Sequence, residues 1–303
     1  MVFKLAKSTP VYNFSKYHHP SITVENGSTI EIETYDCYED QIQSTDSTYE
    51  SLDWDKVNPT TGPIFVRGAE RGDILVVTID AIELSDQGVM SVSPGKGVLG
   101  DQIEKFETKI IPIRNNKAIF DERLEIPLNP MVGVIGVAPY ADPVSNGTPG
   151  SHGGNMDNKM ITTGTTLYFP VATDGALFAL GDLHAAMGDG EVSVTGIEIA
   201  GKVTVTFDII KQVALANPLL ETVDKIATIA SARTLDEAVK ISVADMAKLL
   251  QGKINLSFSE LTMLFSAVGQ TEICQVVDPL MTARFVLPKW VLASYGVESF
   301  LGE

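Results

Sequence analysis

Short runs of apolar and polar residues in alternation dominate roughly the first two thirds of the chain. Residues 28–34 and 203–210 alternate in this way, and residues 74–84 and 165–169 are further β-type runs. Gly, Pro, Asn and Asp separate the runs, as they do between strands that are joined by turns. Alternation suits a half-buried antiparallel sheet, so the pattern predicts strands from about residue 21 to residue 207.

The pattern changes after about residue 217. Residues 235–250 carry apolar positions near helical spacing, and Thr234 precedes them as a candidate N-cap. Residues 257–265 are also helix-like. Strand character then returns in residues 273–277 and 282–288.

Together these patterns predict the fold class. We expect a mainly β protein whose main domain, residues 1–213, is antiparallel and β-sandwich-like. A smaller α+β lobe, residues 214–303, follows it and rejoins the sheet. No Pro- or Ser-rich linker marks the boundary, so composition does not fix its position.

Composition and net charge argue against some classes of function. The 303 residues are 44% hydrophobic and carry a net charge of −17, so the surface repels phosphate backbones and anionic membranes. We therefore expect neither a nucleic-acid nor a membrane partner. The sequence has only two cysteines, which indicates no disulfide framework and fits a reducing cytoplasm. We find no signal-peptide h-region and no apolar run of membrane-spanning length.

The richest polar cluster lies in residues 179–192. Residues two apart on an extended backbone face the same side, so Asp182 and His184 can converge on one point. The same holds for Asp189 and Glu191, and the glycines between the two pairs permit close backbone approach. The alternative is an acidic loop between strands in which the histidine is merely hydrogen-bonded.

A second cluster, residues 148–157, is rich in glycine and contains His152, Asn155 and Asp157. Loops of this kind position functional groups at the ends of rigid sheets. Zinc accepts neutral imidazole and carboxylate oxygen, whereas calcium would prefer the Asp and Asn oxygens. The alternative is a flexible surface loop.

Three further residues, Asp36, Cys37 and Lys96, have side chains that can take part in catalysis or binding. Asp36 follows a predicted strand and can supply a carboxylate ligand. Cys37 is read as structural, because no adjacent basic residue lowers its pKa. Lys96 stands among glycines but lacks the phosphate-loop order, so it either polarises a substrate carbonyl or is simply exposed.

The classical serine mechanisms find little support in this sequence. It has no Gly-x-Ser-x-Gly elbow and no Gly/Ser-rich stretch typical of a Ser-Ser-Lys triad. Water therefore remains as the nucleophile for a hydrolytic reaction.

These clusters, together with residues 58–63 and 68–73, resemble the acetamidase/formamidase family over most of the chain. Residues 181–191 are the most specific part of the resemblance. It implies hydrolysis of short amides such as formamide and acetamide to ammonia and a carboxylate, on a sandwich-like β fold that assembles into homo-oligomers. It also implies a bound divalent metal, for which we expect zinc in preference to calcium.

The same resemblance assigns roles to individual residues. Glu191 is expected to transfer the proton, with Asp189 as its competitor. Lys96 and Asn155, chosen from the clusters themselves and not from the resemblance, are expected to contact the substrate. The expected metal ligands are Asp36, His152, Asp182, His184 and Asp157.

Two other functions stay open at this point. The acidic loops suit a non-catalytic β-sandwich protein that binds a divalent metal or a small ligand. They also suit a hydrolase that acts on another amide or on an ester.

Overall fold

The computed structural model describes residues 2–297 and 301, which fold mostly into β-strands. The strands of this part of the chain are β1 Val2–Leu5, β2 Pro10–Val11, β3 Asn13–Phe14, β4 Ile22–Val24, β5 Thr29–Thr34, β6 Thr60–Val66, β7 Ile74–Val92, β8 Glu107–Arg114, β9 Lys117–Ile119, β10 Glu125–Pro127, β11 Met131–Gly136, β12 Val144–Ser145, β13 Gly153–Asn155, β14 Thr166–Pro170, β15 Phe178–His184, β16 Glu198–Ile210, β17 Leu219–Glu221, β18 Lys225–Ala232, β19 Gln270–Gln275 and β20 Met281–Pro288. The α-helices are α1 Leu235–Leu250, α2 Phe258–Val268 and α3 Lys289–Ser294.

The two longest strands, β7 and β16, form an antiparallel pair at the centre of the sheet, and β5 pairs with the other edge of β16. Val203, Val205 and Phe207 of β16 are buried, while the threonines between them are only half-buried. The apolar positions of the alternating pattern are therefore the buried ones, as a half-buried sheet requires. Almost all other strand pairs are also antiparallel; β1 with β5 and β4 with β6 are parallel.

Strand β15 lies deepest in the molecule, and all of its residues are buried. It pairs with β11 along most of its length, with β6 on the other side, and with β16 at its carboxyl end. Its Phe178 contacts Phe207 and Phe169 edge-on, with ring centroids 5.1 Å and 6.4 Å away. These aromatic contacts anchor the amino end of β15 in the core, and the polar residues lie at its other end.

The helices gather in the C-terminal part. Helix α1 begins after Thr234, whose side chain accepts a hydrogen bond from the backbone of Glu237, and it packs on β18 and β20. A hydrophobic cluster joins α1, α2 and α3 to β20 and also includes Ile74 and Tyr168 of the β-rich part. The sheet itself continues into the C-terminal part through the pairing of β14 with β17 and of β17 with β18.

The structure confirms the expected fold class, a mainly β protein with an α+β C-terminal part. The division at residue 213 stays a prediction. Among the described residues, we find no helix that is both long and apolar enough to span a membrane.

Candidate active site

A group of buried acidic side chains surrounds His184 at the carboxyl end of β15. Its Nε2 atom lies 3.2 Å from Glu198 Oε2, 3.5 Å from Asp182 Oδ1 and 3.9 Å from Asp157 Oδ1. All four residues are at most 3% exposed. So many ionisable groups in one buried place need compensating charge or bound protons.

Strand pairing and unusual backbone conformations bring these residues together. His184 of β15 pairs directly with Glu198 of β16. Asp182, Asp157 and Glu191 have positive φ angles of 57°, 40° and 46°. Such conformations cost on the order of 1–3 kcal/mol each and persist where the surroundings enforce them, often at active sites.

Glu191 reaches the cluster from the loop that follows β15. Gly190, with φ of 100°, donates a backbone hydrogen bond to Cys274 and accepts one from Val276, which attaches the loop to the end of β19. Ligand atoms of Asp157, His184 and Glu191 then lie within 4.8 Å of one another. This spacing suits a single cation.

A second group of possible ligands adjoins the first. Ligand atoms of Cys37, Asp182 and Glu198 also lie within 4.8 Å of one another, and all three residues are buried. Burial and the Glu198 charge raise the pKa of the Cys37 thiol well above its ordinary value. The thiol is therefore protonated at neutral pH unless a cation binds to it.

Burial shifts the protonation of the carboxyl groups. It raises the pKa of Glu198 to about 8 and that of Asp157 to about 6. Burial together with the Asp157 charge raises the pKa of Glu191 well above its ordinary value. The cluster thus holds protons at neutral pH, and Glu191 is the kind of carboxylic acid that can give or take one in a reaction.

The His184–Asp182 pair behaves in the opposite sense. Burial alone would lower the pKa of His184, but Glu198 and Asp182 outweigh it and raise that pKa well above its ordinary value. Burial opposes ionisation of Asp182, yet His184 lowers the pKa of this carboxyl. The positive charge on the imidazole is the cluster's compensation for the negative charge on Asp182.

Several buried polar atoms of the cluster lack a hydrogen-bond partner among the described residues. They are both carboxylate oxygens of Asp157, Nδ1 of His184 and Oδ1 of Asn155. Oε2 of Glu198 makes no well-aligned hydrogen bond either, although it forms an ion pair with Nε2 of His184 at 3.2 Å. Leaving a buried acceptor without a partner costs about 1–3 kcal/mol, and more for a charged group. A cation bound among these groups would satisfy the carboxylate oxygens.

A cavity of about 290 Å³ opens beside the cluster. Its lining includes Asn155 and the acidic residues Asp182, Glu191, Glu198 and Asp278. Lys96 lines it as well and is exposed. Both residues expected to contact a substrate therefore border the same cavity.

Three of the predicted site residues make other contacts. Asp36 Oδ1 accepts the backbone N–H groups of residues 38 and 40 and so closes a turn. His152 is buried beside Phe14, and burial lowers its pKa to about 4. The Asp189 carboxylate binds Arg284 through two hydrogen bonds and also contacts Lys159. Their predicted roles stay predictions.

Sequence reasoning missed Glu198 and Asp278 and read Cys37 as structural. Glu198 reaches the site because strand β16 pairs with β15 and places it opposite His184. The sequence pattern alone does not show which strands pair. The one local signal was a charged residue inside the apolar run of residues 197–199. Asp278 comes from the turn between β19 and β20, where nothing in the pattern pointed to the site.

Comparison with known proteins assigns the chain to a family. The sequence model of the acetamidase/formamidase family matches residues 6–148 and 142–233, well over half of the chain. The chain belongs to the acetamidase/formamidase family. It is therefore an amidohydrolase, as the resemblance in the sequence implied.

Solved structures and curated proteins agree with this assignment. An acetamidase/formamidase of the thermophile Thermoanaerobacter tengcongensis is 50% identical, covers 99% of both chains and superposes with a TM-score of 0.96. The acetamidase of Bacillus halodurans is 44% identical over 97% of this chain and 100% of its own, also with a TM-score of 0.96. The formamidase of Methylophilus methylotrophus is 26% identical over 67% of this chain and 66% of its own.

Proposed function

We propose that this amidohydrolase cleaves small aliphatic amides, of the formamide and acetamide type, to a carboxylate and ammonia. Asp157, Asp182 and the neutral form of His184 would hold a divalent cation that assists the reaction. The observation that carries the proposal is the buried acidic cluster, in which neither carboxylate oxygen of Asp157 has a hydrogen-bond donor among the described residues. Names of the related proteins support the same reaction class.

The donor set favours zinc over calcium. An imidazole nitrogen and a few carboxylate oxygens match the ligands of catalytic zinc sites, which leave a position open for water. Calcium prefers six to eight oxygen ligands, and histidine is not among them. The nearby thiol of Cys37 adds a further donor that zinc accepts.

A bound divalent ion lowers the pKa of water and polarises a carbonyl group. The remaining work falls to the chain. Asn155 borders the cavity with an unpaired buried amide oxygen, which can accept a hydrogen bond from the substrate's amide nitrogen. Lys96 at the cavity lining can donate to a carbonyl oxygen.

Proton transfer is assigned to Glu191. An amide nitrogen is a poor leaving group until it is protonated, so the reaction needs a group that takes a proton from water and delivers it to nitrogen. The raised pKa of Glu191 and its place at the cavity suit the delivery of a proton to nitrogen. A cation bound nearby would lower this pKa, so that the ionised carboxylate could first take the proton from water. Asp189 is tied to Arg284 and Lys159, which favours Glu191 over this competitor.

Replacing Glu191 by Gln tests the assignment. The variant keeps the size of the side chain but cannot carry the proton, so we expect kcat for ammonia release from acetamide to fall by about 10²–10⁴-fold. Asp189→Asn is the comparison variant, with circular dichroism and the thermal midpoint recorded for both. Near-wild-type turnover of Glu191→Gln would remove this residue from the role.

A substrate panel tests the reaction class. The purified protein is given formamide, acetamide, propionamide and a p-nitrophenyl ester, and ammonia or nitrophenol is measured. We expect ammonia from the linear amides. Cleavage of the ester alone, or of no substrate at all, would contradict the proposed function.

A further inference from the structure

The lining of the cavity beside the acidic cluster combines two kinds of residue. Four residues with carboxyl groups belong to it, and so do the aromatic residues Tyr49 and Trp54 together with Val57. A substrate whose amide group is held by the acidic cluster therefore shares the cavity with apolar side chains.

The cavity is larger than the smallest amides require. A water molecule occupies about 30 Å³ in the liquid. Acetamide is only a few times larger, so it would leave most of a cavity of about 290 Å³ unfilled. The remaining space is lined by apolar groups, and filling such space with an apolar substituent is favourable.

Three aromatic side chains form what we call the aromatic wall: Tyr49, Trp54 and Phe106. The rings of Tyr49 and Trp54 lie 4.4 Å apart with an angle of 31°, and Phe106 meets them edge-on at 5.8 Å and 6.2 Å. The Trp54 indole N–H donates to the backbone oxygen of Tyr49 at 2.9 Å. The wall is therefore fixed in place before any ligand arrives.

Other residues of the chain cover the aromatic wall only in part. Tyr49 is 44% exposed and Trp54 is 36% exposed, although both belong to a packed group of rings. Both border the cavity, while Phe106 supports them and borders a neighbouring surface hollow. Partly exposed aromatic faces next to a reaction site are suited to stack on a flat ligand group.

Charge restricts which acyl groups can bind. The residues that line the cavity include four with carboxyl groups against the single cation of Lys96. The net charge of −17 on the whole chain would repel an acyl group that carries its own negative charge, whereas it would not repel a neutral ring.

We propose that the aromatic wall is an acyl-group subsite, so that neutral amides with a flat apolar substituent, such as phenylacetamide, are better substrates than acetamide. This inference rests on the proposed amide hydrolysis. It extends the substrate class from small aliphatic amides to arylalkyl amides.

The ratio of two specificity constants tests the subsite. We expect kcat/KM for phenylacetamide to exceed that for acetamide in the wild-type protein, and Trp54→Ala to lower this ratio by about tenfold, since an aromatic contact is lost. Trp290→Phe is the matched control, because the chain's only other tryptophan lies on α3 and is 60% exposed. Its ratio should equal that of the wild type.

A binding measurement gives an independent readout. In the Trp290→Phe variant, Trp54 is the only tryptophan, so its emission under tryptophan-selective excitation reports on the aromatic wall. We expect phenylacetamide to change this emission in a saturable way and acetamide to leave it nearly unchanged.

The outcomes separate the two proposals. Hydrolysis of neither amide overturns the proposed function, and the subsite with it. Hydrolysis of acetamide together with a ratio that Trp54→Ala leaves unchanged, or with a Trp54 emission indifferent to phenylacetamide, overturns the subsite alone.

Discussion

At the residue scale, a glycine shapes the acidic cluster. Gly133 lies in β11 between Val132 and Val134, whose pairing partners on β15 flank Asp182. A Cβ atom at this position would stand 2.5 Å from Asp157 Oδ1 and 2.5 Å from Asp182 Oδ2. Both carboxylates can meet His184 only because residue 133 has no side chain.

We therefore expect Gly133→Ala to displace the two carboxylates. A misplacement of about 1 Å typically costs about 10²-fold in rate, so acetamide turnover should fall by about that factor. Gly188→Ala is the control, because a Cβ there meets no atom within 4 Å. Ammonia release by both variants is the measurement, and equal activities would show that Gly133 does not shape the site.

Sequence spacing foresaw part of this cluster. Asp182 and His184 do converge, with Oδ1 and Nε2 3.5 Å apart, although the φ of 57° at Asp182 departs from an extended strand. Asp189 instead binds Arg284 while Glu191 reaches the acidic cluster, since Gly190 with φ of 100° turns the chain between them. Period-two reasoning presumes an extended backbone, so spacing alone does not decide which of these side chains meet.

At the scale of elements, one arginine of β20 connects the C-terminal part to the loops of the site. Arg284 is 1% exposed and donates to Asp189 at 2.8 and 3.0 Å, to Glu272 at 2.6 Å and to Asn158 at 3.0 Å. Two of these partners lie close in sequence to cluster residues: Asn158 follows Asp157 and residue 189 precedes Glu191 by two. The C-terminal part thus helps to position the cluster.

Arg284→Gln should destabilise the fold. Removing one partner of a buried ion pair costs about 3–5 kcal/mol, and we expect about 3 because both carboxylate partners are partly exposed. Arg67→Gln is the control, since its pair with Glu25 is largely exposed and worth about 0–1 kcal/mol. Urea unfolding measures both, and equal losses would contradict a structural role for Arg284.

Element boundaries followed the hydrophobic pattern where the pattern was long. Helix α1 occupies the residues that periodicity indicated, with Thr234 as its cap. Strand β7 was expected to end at residue 84 but continues to Val92, because pairing with β8 and β16 carries the strand past the polar, exposed residues 85–87. Two-residue strands such as β2 and β12 exist only through their partners and leave no pattern to read.

At the scale of the whole molecule, excess negative charge and the buried cluster make stability depend on pH. Burial, with Asp182, raises the pKa of Glu198 from 4.5 to about 8, against the opposing His184. The folded state therefore binds a proton more tightly than the unfolded state. The contribution of Glu198 to the free energy of unfolding is fully present below pH 4.5 and is lost as the pH rises toward 8.

The metal-stripped protein should accordingly become less stable from about pH 4.5 to about pH 8. Each extra proton bound by the folded state contributes a slope on the order of 1 kcal/mol per pH unit. Glu198→Gln should flatten this part of the profile, as measured by thermal midpoints across the pH range. A wild-type profile that is flat or rises over this interval would contradict the assigned protonation.

Homo-oligomeric assembly and a cytoplasmic location, both expected from the sequence, stay predictions.

Metal dependence of ammonia release is the most direct test of the central claim. The protein is stripped with a chelator, its metal content is verified by elemental analysis, and release from formamide and acetamide is measured before and after zinc or calcium is added back. We predict that activity disappears on stripping and returns with zinc more fully than with calcium, while the thermal midpoint changes only modestly. Full activity in protein verified to be free of metal would contradict a cation-assisted reaction at the His184 cluster.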